Sequence, residues 1–191
     1  LVLSDRDWRF NDANEDDYRK TLKTTKYPHD ATSKIQKKLR TKKDGTVYKK
    51  GDRLTEHEYS SHAEKIVKKF QHMIDNNGEI PDEMKTKKFA QRVIPKKWNS
   101  SGPNITATSL PDDFVHYSQP RSLTVREWAR LQMFPDWYEF SGKRTTGGRR
   151  RAGDPSRGDW ARETPKYTQI GNAVPVKLAE EIGRHMKSLI S

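Results

Sequence analysis

The residues whose types and spacing could do chemistry fall in two ordered blocks: Arg121-Ser-Leu-Thr-Val-Arg-Glu-Trp-Ala-Arg-Leu-Gln-Met-Phe-Pro-Asp136 and Gln169-Ile-Gly-Asn-Ala-Val-Pro175. The first sets three guanidinium groups, Arg121, Arg126 and Arg130, among the carboxylates Glu127 and Asp136. A guanidinium is a planar fork that matches phosphate, carboxylate or carbonyl oxygens. These arginines therefore either touch a polyanion or fix loops by bonding backbone carbonyls, Glu127 and Asp136. In the second block Gly171 permits close backbone approach, Asn172 offers two donors and an acceptor, and Pro175 suits the start of a helix.

Other chemistry is excluded by what the 191 residues lack. There is no cysteine, so no thiolate nucleophile, disulfide or thiolate metal site can form. The six histidines show no metal-ligand spacing with acidic partners, and no structural metal is expected. His57, His62 and His72 read as surface or capping residues, since spacing gives none of them an acid–base partner. With 38 Lys+Arg against 26 Asp+Glu the net charge is +12 and the pI about 9.8. Such a balance favours polyanions through counterion release, although solvated charged faces produce the same count. Candidate nucleic-acid contacts are Lys85, Lys87, Lys88, Arg92, Lys96, Lys97 and Asn99, with Arg144, Arg149, Arg150 and Arg151 as a second group. Arginine suits bidentate reading of guanine and lysine suits phosphate.

The elements that must position these residues are unevenly marked. Residues 1–18 mix acids and aromatics without periodicity and read as an irregular arm. From Arg19 to Lys50 twelve Lys/Arg face only Asp30 and Asp44, and Asp44-Gly45 before Thr46-Val-Tyr48 predicts a basic hairpin. That hairpin is either a groove-inserting or phosphate-tracking loop or a solvated charged segment. Ser61-His-Ala-Glu64 spells a capping box, and Ile66, Val67, Phe70, Met73 and Ile74 recur at helical spacing up to Asn77-Gly78, predicting a helix over 61–76. With Pro81, Pro95 and Pro103 in 79–103, short strands and loops fit better than helix. Ile105-Thr-Ala-Thr108 alternates like a strand and Pro111-Asp112-Asp113 like a turn. Thr124-Val-Arg-Glu127 is a second capping box, opening a short helix that stops before Pro135. Eight Lys/Arg, five glycines and two prolines between Gly142 and Lys166 predict a long basic loop. Beyond Pro175, Leu178, Ala179, Ile182, Met186 and Leu189 share one face of a terminal helix.

The first block resembles the ninth sequence motif of the cytosine-C5 DNA methyltransferases in Arg121, Leu123, Thr124, Arg126, Glu127, Arg130, Leu131, Gln132, Phe134, Pro135 and Asp136. Gly171-Asn-Ala-Val-Pro175 is similar to the tenth. More loosely, Glu56-His-Glu-Tyr-Ser-Ser-His62 and Pro103-Asn-Ile-Thr-Ala-Thr108 resemble family segments, so the likeness runs from about residue 55 onward. By this resemblance Asn172 and Ala173 would line an S-adenosylmethionine pocket, with Gln169 and Gly171 shaping its turn. Arg121, Thr124, Arg126, Glu127, Gln132 and Pro135 would organise the end of a target-recognition domain.

The family reaction needs a Pro-Cys nucleophile, a Glu-Asn-Val segment and a Phe-x-Gly-x-Gly turn, and none occurs here. The resemblance therefore implies a recognition subunit or C-terminal fragment that is not catalytic alone. Its partners would be double-stranded DNA and a catalytic chain carrying the Pro-Cys motif, with S-adenosylmethionine shared between the two chains. The expected fold is α+β, with a small recognition domain of short strands, loops and a helix, and a terminal helix packing on the partner's α/β domain. The boundaries are a basic arm and hairpin over 1–55, a recognition domain over 56–140, a basic loop over 141–166, and the tenth motif with its helix over 167–191. The start at Leu1 hints at residues removed upstream. No apolar run has membrane-spanning length, and a cytoplasmic restriction–modification setting is expected. A free-standing sequence-specific DNA-binding protein that lost catalysis, and a general nucleic-acid coat, are the other readings.

Overall fold

Helix caps, more than strands, set where this chain turns. The computed structural model describes residues 22–85, 91–96, 105, 111–145, 156 and 164–190. Within them lie helix α1 at Lys34–Arg40, α2 at Glu64–Asp75, strand β1 at Arg92–Val93, β2 at Phe114–Val115, α3 at Val125–Leu131, α4 at Lys166–Asn172 and α5 at Val176–Ile190. This mixture of helices with a two-stranded sheet is compatible with the α+β expectation.

Helix α1 was not expected inside the basic segment. It starts on a capping box in which Ser33 Oγ accepts from the Gln36 amide at 3.2 Å and Gln36 Oε1 accepts from the Ser33 amide at 3.1 Å. The predicted hairpin follows it in reduced form, a turn in which Lys42 donates to the Thr46 carbonyl at 2.7 Å and Thr41 bridges Val47. Gly45 occupies the turn at φ 85°, a conformation that disfavours any side chain. On either side of this excursion residues 22–27 run antiparallel to 52–59, joined by Thr24 to His57, Leu54 to Thr25 and Tyr59 to Leu22.

Helix α2 forms where the apolar spacing placed it, but the Ser61 capping box is unused. Its N-cap is Ala63, with no side-chain cap. The reason lies across the fold, where His62 Nε2 accepts from the Ser122 amide at 3.2 Å and lies 3.0 Å from Ser122 Oγ, holding that stretch outside the helix. The far end closes as foreseen. Asn77 at φ 54° and Gly78 at φ 92° reverse the chain, and the Gly78 amide returns to the Met73 carbonyl at 2.6 Å.

The two strands pair in parallel, Arg92 with Phe114 and Val93 with Val115, while Ser122 bridges Val115 from the other side. Ile105 is buried without strand structure, and the rest of the predicted 105–108 strand lies outside the described residues. The main core gathers Ile94, Ile105, Phe114, Leu123, Val125, Trp128, Ala129, Phe134, Phe140, Tyr167 and Ile170. A second cluster seats Phe70 and Met73 of α2 on Val115, and a third joins Tyr27 to Leu54. No helix of the described residues is long and apolar enough to cross a membrane.

Candidate functional site

Helix α3 is buried on every side, polar residues included. Its N-cap Thr124 accepts from the Glu127 amide at 3.2 Å, and Glu127 Oε2 accepts from the Thr124 amide at 2.9 Å. Glu127 also takes both prongs of Arg121, at 2.7 and 2.8 Å, with both side chains fully buried. Burial alone would raise the Glu127 carboxyl. The charge and hydrogen bonds of Arg121 outweigh it and hold the carboxyl far below its ordinary value.

Two further arginines turn inward in the same way. Arg126 donates to the Thr55 carbonyl and hydroxyl and to the Pro135 and Tyr138 carbonyls, tying the loops on both sides of α3 to its middle. Arg130 forks onto Asp136 at 2.9 and 2.6 Å, and Tyr27 Oη donates to the same carboxylate at 2.6 Å. Burial again opposes the Asp136 charge, and Arg130 with its hydrogen bonds overcomes it, so this carboxyl too is lowered. All three arginines of the first block thus act on protein atoms, and none of the three is placed for phosphate. Gln132 Nε2 reaches the Ile105 carbonyl at 3.3 Å, and Pro135 is half-buried beside this cluster.

The histidine reading needs one correction, because His57 is buried and not at the surface. Its Nδ1 lies 2.9 Å from Thr124 Oγ1, directly behind the α3 cap. Burial pushes its pKa down from 6.5 to about 3, so the ring is neutral. His62 is half-buried against Ser122, and His72 is exposed on α2. Sequence spacing missed His57 because its partner lies 67 residues away.

The second block also departs from expectation. Gly171 and Asn172 close helix α4 instead of forming a loop, because Tyr167 and Ile170 lie on one helical face and both insert into the main core. Gly171 is buried, while Ala173 packs partly buried against the core. Asn172 is exposed, and its carboxamide makes no hydrogen bond among the described residues. Gln169 donates to the Ser141 and Thr164 carbonyls at 2.9 and 2.8 Å, pinning the start of α4. Three residues past Ala173 the chain restarts as α5, anchored by the Val176 amide on the Gln132 carbonyl at 3.0 Å. Along α5, Leu178, Ile182, Met186 and Leu189 lie 51, 49, 61 and 71 % exposed, an uncovered apolar face.

The candidate nucleic-acid contacts are only partly in view. Arg92 and Lys96 are exposed at and just beyond β1, and Lys85 is exposed and paired with Asp82. Arg144 is half-buried, one guanidinium nitrogen donating to the Glu58 and Tyr59 carbonyls at 3.2 and 3.0 Å. Lys87, Lys88, Lys97, Asn99, Arg149, Arg150 and Arg151 lie outside the described residues, as does most of the predicted basic loop.

Residues 3–188 match the family described as C-5 cytosine-specific DNA methylase. The chain belongs to that family. Among individual proteins it is similar to the type II methyltransferase M.DdeI of Desulfomicrobium norvegicum, 40 % identical over 80 residues, which cover 42 % of this chain and 17 % of that protein. It is 34 % identical over 122 residues to M.Bpa9945I of Bacillus paralicheniformis, covering 59 % and 23 %. Against M.AquIB of Picosynechococcus the identity is 31 % over 130 residues, covering 67 % of this chain and 84 % of the relative. The chain therefore spans about a fifth of the first two type II methyltransferases and most of the third.

Proposed function

We propose that this chain is the DNA-recognition part of a DNA (cytosine-5-)-methyltransferase. It binds duplex DNA sequence-specifically and completes the S-adenosylmethionine pocket of a catalytic chain. The observation that carries this reading is the apolar face of α5, which follows directly on Asn172 and is left uncovered. Contiguous exposed apolar surface of this kind marks a protein interface. Membership of the methylase family and the match to most of M.AquIB support the same reading.

The division of labour follows from composition. The family reaction attacks cytosine with a cysteine thiolate, and this chain has no cysteine. The nucleophile then comes from the partner, on a chain carrying the Pro-Cys motif. The residues here fit a cofactor edge: Asn172 presents a free carboxamide, and Gly171 and Ala173 keep the backbone beside it narrow. S-adenosylmethionine supplies the methyl group when bound, and Asn172, Ala173 and Gly171 would hold one side of it. Arg92, Lys96 and Arg144, together with Lys88, Lys97, Asn99, Arg149, Arg150 and Arg151, are the proposed DNA contacts.

The test is methyl transfer from labelled S-adenosylmethionine to duplex DNA. The chain alone should give no signal, and mixing it with a catalytic chain carrying the Pro-Cys motif should give one. Transfer by this chain alone would sink the proposal. Tight sequence-specific binding with α5 still exposed in solution would favour the free-standing DNA-binding reading instead.

A further inference from the structure

Residues 34–50 contain seven lysines and one arginine against the single acid Asp44. Charge this dense in a flexible tail spreads out to lower its self-repulsion, but here it is folded onto a fixed base. The buried Leu39 carbonyl accepts from the Asp136 amide at 2.7 Å, and Tyr48 returns its amide to the Arg40 carbonyl at 2.9 Å. Arg40 is itself buried, lying 4.5 Å over the Tyr27 ring and donating to the His29 carbonyl at 2.7 Å. Tyr27 and Tyr48 stack beneath, with centroids 5.4 Å apart.

This base leaves the lysines outward. Lys38 pairs with Glu180 of α5 at 3.0 Å, and Lys42 lies 3.5 Å from Asp52 and over the Tyr48 ring. Lys43 caps the Trp137 ring at 4.7 Å. The remaining four, Lys34, Lys37, Lys49 and Lys50, are exposed and have no carboxylate within salt-bridge distance among the described residues. Lys34 and Lys37 lie one helical turn apart on the same side of α1. A fold that concentrates uncompensated cations on a rigid protrusion incurs a repulsion that a polyanion relieves. Lysine, a flexible point charge, suits phosphate without base readout.

We propose that α1 and the turn after it, residues 34–50, form a phosphate-gripping arm that holds the backbone of duplex DNA independently of sequence. The arm adds affinity and on-rate to the recognition reading given above, on which it rests, while choice of site belongs to other residues.

The test replaces Lys34, Lys37, Lys49 and Lys50 together by alanine in the full chain. Binding to two duplexes of unrelated sequence is followed by fluorescence anisotropy from low to moderate salt. Each phosphate contact contributes about 0.9 to the slope of log affinity against log salt, so losing four should flatten it by about 3 to 4. The loss should be equal on both duplexes, with the thermal unfolding temperature not lowered, because the four side chains make no salt bridge within the described fold and their removal relieves repulsion. If the natural chain binds but the variant keeps its slope, or loses affinity for one duplex only, the arm is overturned and the recognition reading stands. If the natural chain binds no duplex DNA, both fall.

Discussion

Tyr27 and Asp136 are joined by a 2.6 Å hydrogen bond across 109 residues of sequence, and the same carboxylate is forked by Arg130. The bond fastens the 22–59 excursion to the turn after α3, beside the Leu39 carbonyl that accepts from the Asp136 amide. Replacing Tyr27 by Phe keeps the ring that Arg40 and Tyr48 contact and removes only the donor. A hydrogen bond to a buried charged group contributes about 1.5 to 3 kcal/mol, and chemical denaturation of Tyr27→Phe should show a loss of that order. A loss under about 0.5 kcal/mol would mean that Arg130 alone secures the carboxylate.

The buried Arg121–Glu127 pair makes a sharper, non-additive prediction. Removing one partner strands the other charge without solvent, so Arg121→Ala should cost about 3 to 5 kcal/mol. Exchanging both for apolar residues, as in Arg121→Met with Glu127→Leu, removes the stranded charge and should cost less than the single change. Arg121→Lys should fall between, because an ammonium cannot span both Glu127 oxygens while also serving Gln119 and the Ser122 carbonyl. Urea midpoints of the four proteins, ordered otherwise, would contradict the desolvation argument.

What was legible in the sequence was local. The Thr124 and Glu127 box, the reversal at Gly78 and the helix after Pro175 each follow from residues within a few positions of one another. Helix α1 carries an equally local signal in Ser33 and Gln36, set within a run of lysines that reads equally as solvated coil. The Ser61 and Glu64 box shows the opposite failure, since His62 is drawn to Ser122 by a contact 60 residues away that no spacing rule reports. The roles of His57 and Tyr27 were unreadable for the same reason. Burying the arginines of the first block required knowing that Glu127, Asp136 and four loop carbonyls converge on them. The uncovered face of α5 was legible as a stripe, whereas its exposure is a property of the fold.

Acid should weaken the fold in two stages. His57 and His62 both have folded pKa values lowered by burial, His57 to about 3. The unfolded chain therefore binds protons that the folded chain refuses, and stability falls as pH drops below about 6.5, by up to about 1.4 kcal/mol per pH unit for His57. Glu127 and Asp136 are lowered, so their contribution is complete above their ordinary values of 4.5 and 3.8 and is lost only as pH falls further. Unfolding free energy measured from pH 7 to 4.5 should slope downward in the natural chain and less steeply in His57→Gln compared at each pH. Equal slopes would show that His57 is not the group being titrated.

The face of α5 gives the prediction closest to function. Leu178, Ile182 and Met186 are about half exposed or more, so replacing all three by glutamine removes little buried surface and should move the melting temperature by no more than a few degrees. If that face seats the catalytic chain, the same substitution exposes polar groups to an apolar interface and should abolish both co-purification and methyl transfer by the mixture. Asn172→Ala should act differently. With the interface intact, the mixture should still assemble, and the change should appear mainly as a raised KM for S-adenosylmethionine. Assembly retained in the triple variant would separate α5 from the role assigned to it, and assembly lost in Asn172→Ala would do the same for Asn172.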